Sequence, residues 1–435
     1  MDDNKLDKLR SKTKIIVSDA MPSSGKTTKI IEQMANDKCA YIYATPTLSE
    51  CHRIAGTHYL EKDELKQPLK DENDDYLVTD STHPLLFKKF KHPEYNNENG
   101  KLGSLYHLIE NDENIVTTHS LFEMLDENTL NLLNQLKGIG KGYKLVLDET
   151  LGVWSTYNKI TKIDLIGRVE DKVCSISEDG LISWDESIFR SKGSKYEDFA
   201  EKCRNKQVYF VNNSVMYYEI PSHLFDVFQE VHILTYMFEH SELACFLRIC
   251  GIEYEIHKWG KTVDDIVPLI HILDHDKLNN LSSEISFTKL KNSKKENEMG
   301  VVHELRKGIH LLYTKIWQVQ SKYRLWTTGK TVSLVVGNRK YNKQFLCFNT
   351  RGTNDYKHTT HLAYLLSVYI NPYLSRFLRN RGDGIDEEMY ALSSMLQWIF
   401  RSAIRDGQEI HLYVPSVRMR GILLKYLNGE YNDKL

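Results

Sequence analysis

The 435-residue sequence has no CxxC pair, no long apolar run and no excess of charge of either sign. Its seven cysteines, at positions 39, 51, 174, 203, 245, 250 and 347, are scattered, which argues against a zinc ribbon and for free thiols in a reducing compartment. The hydrophobic runs, such as Ile15–Val17 and Lys144–Leu147, are strand-sized, so none spans a membrane. The opening residues, MDDNKLDKLRSKTK, are charged and carry no apolar signal-peptide core; a cytoplasmic protein is expected. A formal net charge of −2 supplies no global basic field, so a polyanion has to be gripped by a local cleft. His271, Asp274, His275 and Asp276, and the pair His358 and His361, lack structural-zinc spacing and read as surface or packing residues.

What is present is an α/β grammar. Lys14–Ser18, Tyr41–Ala44, Ile115–Thr118, Lys144–Leu147 and Val231–Leu234 are short apolar runs separated by helical patterns, which predicts a parallel sheet with crossover helices. The pattern restarts with a helix at 241–250, strands near 253–258, 267–273, Val332–Val336 and Gln344–Phe348, a helix over 384–405 and a closing strand at His411–Val414. Trp154, Tyr41 and Trp398 stand at apolar positions and read as core. Residues 61–113 are rich in Asp, Asn, Lys and Glu and read as a solvated insertion; 155–229 reads as a second one.

The residues that carry chemistry begin at the first strand. Ala20 to Thr27 has the spacing of a phosphate-binding loop: a small residue, four more, then Gly25-Lys26-Thr27 at a helix start. Backbone N–H groups of such a loop, here including Ser23 and Ser24, wrap the β-phosphate, and Gly25 permits the close approach. Lys26 reaches the β- and γ-phosphates, the Thr27 hydroxyl ligates Mg²⁺, and Thr28 lies beside it. Asp148-Glu149 ends an apolar strand, where Asp148 would hold the magnesium and Glu149 would polarise the attacking water. Two carboxylates there repel one another unless a cation is present. ATP or another nucleoside triphosphate, with Mg²⁺, is the expected ligand.

Asp148-Glu149, Thr45-Pro46-Thr47, Thr117-Thr118-His119 and Thr235-Tyr236-Met237, in their order, resemble the first motor domain of a superfamily 2 (DExx-box) helicase. The resemblance implies that Thr45, Thr47, Thr118 and His119 touch the sugar-phosphate backbone of one strand. Arg351 and Asn354, within Asn349–Asn354, match the family's fifth motif and join that track. QWIFRSAIRDG resembles the sixth motif: Gln397, Arg401 and Arg405 recur at i, i+4 spacing and are expected on one helix face toward the γ-phosphate. The family's arginines stand three apart, and here they stand four apart. The compact size is similar to that of helicases from phages and mobile elements.

Two RecA-like domains follow, at 1–243 and 244–435, with parallel sheets and the nucleotide in the cleft between them. The function implied is an NTP-dependent helicase or translocase on single-stranded or duplex nucleic acid, DNA favoured, with replication or recombination proteins as partners and no membrane. Two other classes fit parts of the pattern. A packaging-type motor with a nuclease requires a carboxylate cluster for two metals, for which Asp383 and Asp386-Glu387-Glu388 are available. A nucleotide-dependent remodeller shares the motor motifs without unwinding strands.

Overall fold

The computed structural model describes residues 13–56, 88–95, 100–279, 285–293, 300–350, 352 and 355–434. Among these residues, twelve strands belong to the first part of the chain: β1 (Lys14–Asp19), β2 (Tyr41–Thr45), β3 (Phe90–Lys91), β4 (Asn114–Thr118), β5 (Lys144–Asp148), β6 (Trp154–Thr156), β7 (Cys174–Ile176), β8 (Ile182–Trp184), β9 (Val208–Val211), β10 (Val215–Glu219), β11 (Glu230–Thr235) and β12 (Glu255–Lys258). Four follow: β13 (Ile270–Ile272), β14 (Arg324–Thr327), β15 (His361–Tyr364) and β16 (Ile410–Tyr413). Seven form one parallel sheet in the order β12-β1-β11-β5-β2-β4-β3. A second parallel sheet has the order β13-β16-β15-β14. The fold is therefore α/β with two parallel sheets, as the alternation of runs implies. No helix among the described residues is long and apolar enough to cross a membrane.

The central strands read as apolar runs because helices cover both faces. Ile15, Val17, Ile42, Leu145, Leu147, Val231 and Ile233 pack on one side of the first sheet, and Tyr43, Val116, Val146 and Leu234 on the other. Tyr41, Trp154 and Trp398 are buried. The second sheet has its own core, built around Trp326, Leu362, Tyr364, Trp398 and Leu412.

Several elements depart from the expectation. The first sheet does not end near residue 243: helix Glu242–Ile249 packs into its core and β12 pairs with β1, so its chain runs to Lys258. The reason is the apolar face Leu243, Ala244, Phe246 and Leu247, which is buried in the first core. Val332–Val336 is not a strand but enters helix Ser333–Tyr341. Val332 and Val336 are buried while Leu334 and Val335 are exposed, a helical period that an all-apolar run conceals. Gln344–Phe348 holds the end of a short 3₁₀ turn and one bridge, Trp326 to Phe345. Within the expected insertion at 61–113, β3 joins the sheet edge and helix Gly100–Glu110 buries Leu105 and Ile109; most of the remainder lies outside the described residues. Within 155–229, the antiparallel sheet β6-β10-β9 and the hairpin β7-β8 enclose a separate core of Phe199, Val208, Ile182 and Trp184.

A strap from the second part crosses back. Ile370, Leu374, Phe377 and Leu378, on or beside helix Pro372–Asn380, are buried in the core of the first sheet. The Phe377 ring meets Tyr209 at 5.2 Å, Tyr217 at 5.8 Å and Trp154 at 6.2 Å. Arg381 pairs with Glu219, and Arg248 donates to Asp383 at 2.7 Å.

Candidate functional site

The loop after β1 turns into helix Lys26–Asn36 through two left-handed residues, Ser23 (φ 67°) and Gly25 (φ 80°). Gly25 is the helix N-cap, and glycine takes that conformation without a Cβ penalty. Lys26 Nζ donates to the carbonyls of Ala20 and, at 3.2 Å, Met21, so the ammonium lies folded inside its own loop. Burial pulls its pKa down to about 8, against the opposing pull of Asp148, Asp19 and Glu149. An ammonium so placed gains charge stabilisation from any anion that enters.

Asp148 ends β5 and accepts a hydrogen bond from the Tyr43 hydroxyl at 3.0 Å. Burial, then the neighbouring Glu149, push its carboxyl up to about 6. Glu149 is in the left-handed region (φ 71°), and its N–H donates to the Leu234 carbonyl at 2.9 Å. That turn carries its carboxylate away from β5 and toward the second sheet. There, Arg401 Nη2 donates to Glu149 Oε1 at 2.8 Å, with the Arg401 side chain only 9% exposed.

Gln397, Arg401 and Arg405 do not share one helix. The helix runs from Glu387 to Ile399, Phe400 is its C-cap, and Arg405 lies in the 3₁₀ turn Ala403–Asp406. The chain is drawn off the helical path where the Ala403 N–H donates to the Thr359 carbonyl at 2.9 Å and the Ser402 hydroxyl donates to Ile399 at 2.6 Å. All three residues nevertheless line one cleft of about 510 Å³ with Gly25, Lys26, Thr27, Thr28, Ser23, Asp148 and Glu149. The Arg405 guanidinium is held below its ordinary pKa by burial and then by Arg401, as expected of two cations facing the same space. Ser24 turns away, its hydroxyl accepting the Lys261 N–H at 3.3 Å, while Ala20 is buried and contributes its carbonyl.

The expected nucleic-acid residues are placed less uniformly. Thr45 and His119 are buried, so neither side chain lies open to a strand at the surface. Thr47 and Thr118 cap the helices Leu48–Ile54 and His119–Phe122 by accepting from Glu50 N and Leu121 N. Thr47 also approaches the Gly352 carbonyl at 3.4 Å, which joins the two sheets' loops above the cleft. Arg351 and Asn354 lie outside the described residues.

Four residues escaped sequence reasoning. Asp19 accepts from the Met237 N–H at 2.7 Å and the Phe238 N–H at 3.1 Å, fastening the loop after β11 to the end of β1. Tyr43 steadies Asp148, and the Arg53–Glu50 pair, at 2.7 Å, sits in the cleft wall. The signal for Asp19 was its place as an acid ending an apolar strand; an (i, i+3) acid–base pair such as Glu50 and Arg53 has none. Three of the four carboxylates available for a nuclease are engaged elsewhere. Asp383 pairs with Arg248, Asp386 caps its helix and pairs with Lys434, and Glu388 accepts from Tyr431. His271, His411 and His361 stand in register across β13, β16 and β15, with ring centroids 5.3 and 4.7 Å apart, and His271 pairs with Glu409 at 2.8 Å.

A family model described as the YonV C-terminal Rossmann-like domain matches residues 264–427. The SPbeta prophage-derived uncharacterized protein YonV of Bacillus subtilis (strain 168) is 31% identical over 444 residues, covering 96% of this chain and 99% of that protein. Among solved structures, one titled XPD_Helicase aligns over 99% of this chain and 97% of its own, at 10% identity and a TM-score of 0.39. The Pyrococcus furiosus Hef helicase domain aligns over 97% of each chain, at 10% identity and a TM-score of 0.29.

Proposed function

The chain belongs to the YonV family, and we propose that it is an NTP-driven motor on nucleic acid, a helicase or translocase with DNA as its favoured track. One observation carries the reading: the Arg401–Glu149 ion pair joins the second sheet to the acidic strand end directly beside the phosphate loop. A triphosphate entering the cleft competes for Arg401 and draws Lys26 off the Ala20 and Met21 carbonyls. Glu149, released from the arginine, accepts a hydrogen bond from water and aims it at the γ-phosphorus. The new P–O bond forms as the bond to the bridging oxygen breaks, leaving a nucleoside diphosphate and phosphate, with Arg401 and Arg405 facing the charge that develops.

The Thr27 hydroxyl and the Asp148 carboxylate line the same cleft and are the hard oxygen donors that a divalent cation takes. Magnesium bound there supplies charge neutralisation at the β- and γ-phosphates. Domain closure and release would then move a strand held by both halves.

A second reading, a nucleotide-dependent remodeller that does not unwind, draws support from the strap. Phe377, buried among Trp154, Tyr209 and Tyr217, restricts how far the two sheets swing apart. The test of the shared premise compares Lys26→Ala with Glu149→Gln. Lys26→Ala is expected to lose nucleotide binding and turnover, and Glu149→Gln to keep binding while turnover disappears. Near-wild-type turnover in Glu149→Gln contradicts the assignment of the acidic pair.

A further inference from the structure

The triphosphate reading fixes one end of a nucleotide and leaves its base unassigned. The sheet order supplies the direction. Asp148 and Glu149 end β5 and follow it, the phosphate loop follows β1, and the strands lie as β5, β11, β1, β12. A triphosphate whose γ end faces Glu149 and Arg401 therefore extends across β1 toward β12, three inter-strand steps of roughly 4.8 Å from β5. The first residue beyond β12 is Trp259.

Trp259 is half-buried, and among the described residues it joins none of the four packed cores. Its neighbour instead is Lys29, in the first turn of the phosphate-loop helix, whose Nζ stands 4.5 Å from the centroid of the indole ring. The turn that carries Trp259 is fastened to the phosphate loop. Gly260 has φ 90° and lies so close to Ser24 that a Cβ there would come within 2.6 Å of its hydroxyl, and the Lys261 N–H donates to that hydroxyl. Between this turn and the helix is a cavity of about 160 Å³, lined by Trp259, Lys26, Lys29, Gln33, His257 and Ser18. Lys26 lines both this cavity and the main cleft, so the two adjoin at the phosphate-binding lysine.

We propose that Trp259 is the platform on which the base of the bound nucleotide stacks, with a purine as the base it takes, and that Lys29 moves from the ring to the phosphates. The proposal rests on the reading of Lys26 as the phosphate ligand. An indole offers the largest side-chain π-face, and a purine covers it more completely than a pyrimidine does. The amide of Gln33, whose nitrogen lies 3.3 Å from His232 Nε2, and the imidazole of His257 add polar groups to the cavity lining, while the fastened turn holds the ring in place before the ligand arrives.

The test measures binding of a non-hydrolysable ATP analogue and of inorganic tripolyphosphate to the full chain by calorimetry, for the wild type, Trp259→Ala, Trp259→Phe and Lys26→Ala. Base stacking of about 1–3 kcal/mol corresponds to roughly 5- to 150-fold in affinity. The wild type is expected to prefer the ATP analogue over tripolyphosphate by a margin in that range. Trp259→Ala is expected to lose the margin without weakening tripolyphosphate, and Trp259→Phe to keep most of it. Photolabelling of the wild type with 8-azido-ATP, which needs no variant, is expected to mark the peptide holding residues 255–262. An unchanged margin in Trp259→Ala, or a label confined elsewhere, overturns the proposal while Lys26-dependent binding leaves the phosphate reading intact. Binding that ignores Lys26→Ala overturns both.

Discussion

The two walls of the cleft are built on different principles. On the first-sheet side the polar groups are held by backbone: Asp19 by two N–H groups, Lys26 by two carbonyls, and Glu149 by its left-handed turn against Leu234. On the second-sheet side the arginines stand on a short turn after a helix has ended, and Arg401 Nε is buried with no hydrogen-bond partner among the described residues. A buried guanidinium N–H left without an acceptor costs about 1–3 kcal/mol. The arginine wall thus keeps a buried donor without an acceptor, whereas Lys26 and Asp19 on the facing wall are held by backbone groups. That is the arrangement expected where ligand binding draws two domains together.

The comparison is broken most severely by removing the arginines. Arg405→Ala is expected to lower turnover by about 10³ to 10⁵ while sparing nucleotide affinity. Arg401→Ala should weaken nucleotide binding as well, because the entering triphosphate takes Arg401 over from Glu149 as its own partner. Lysine should rescue neither position, since an ammonium cannot donate in the fork geometry of guanidinium. The check is nucleotide affinity and saturated turnover measured for both alanine variants; loss of turnover in Arg401→Ala alone reverses the two roles.

The strap offers a smaller effect on a different observable. Phe377→Ala removes a ring from a buried aromatic nest, and about 3–5 kcal/mol of stability should go with it. Denaturant unfolding is expected to lose midpoint and to separate into two transitions as the halves uncouple. A single transition at the wild-type midpoint contradicts a tethering role.

The smallest effect is on pH dependence. Burial, then His411 and Arg324, hold the half-buried His361 down to about 4. The unfolded side chain titrates near 6.5, so the unfolded chain takes up the proton first. Stability from this group is complete above pH 6.5 and is lost as pH falls toward 4. Asp148, raised to about 6, works in the opposite direction over about pH 6 to 3.8, because its protonated form favours the folded state. Melting temperatures at pH 7 and pH 5 should therefore differ less in His361→Phe than in the wild type.

Much of the first wall was legible because its chemistry is local. A buried parallel strand is an apolar run, so the acids Asp148 and Glu149 at its end stand out in the sequence, and Lys26 is legible from the Gly-Lys-Thr spacing that follows β1. The second wall was legible in residues and not in geometry. The spacing of Gln397, Arg401 and Arg405 fits a helix, but the chain leaves the helical path where the Ala403 N–H donates to the Thr359 carbonyl, more than forty residues away. Helix Ser333–Tyr341 was hidden by an apolar run whose period only burial reveals, and the allegiance of β12 is decided by pairing with β1. Thr45 shows the same limit: its hydroxyl ends a strand as expected, yet neighbouring elements bury it.

The most direct test of the motor reading is the rate of phosphate release from ATP and Mg²⁺ by the wild-type chain with no polymer, single-stranded DNA, duplex DNA and RNA in turn. Stimulation by at least one polynucleotide is expected, strongest with DNA. Its half-maximal concentration should rise with salt, each neutralised phosphate adding about 0.7 to 0.9 to the slope. A release rate that depends on Lys26 and Glu149 yet ignores every polynucleotide contradicts the motor and leaves a nucleotide hydrolase without a track.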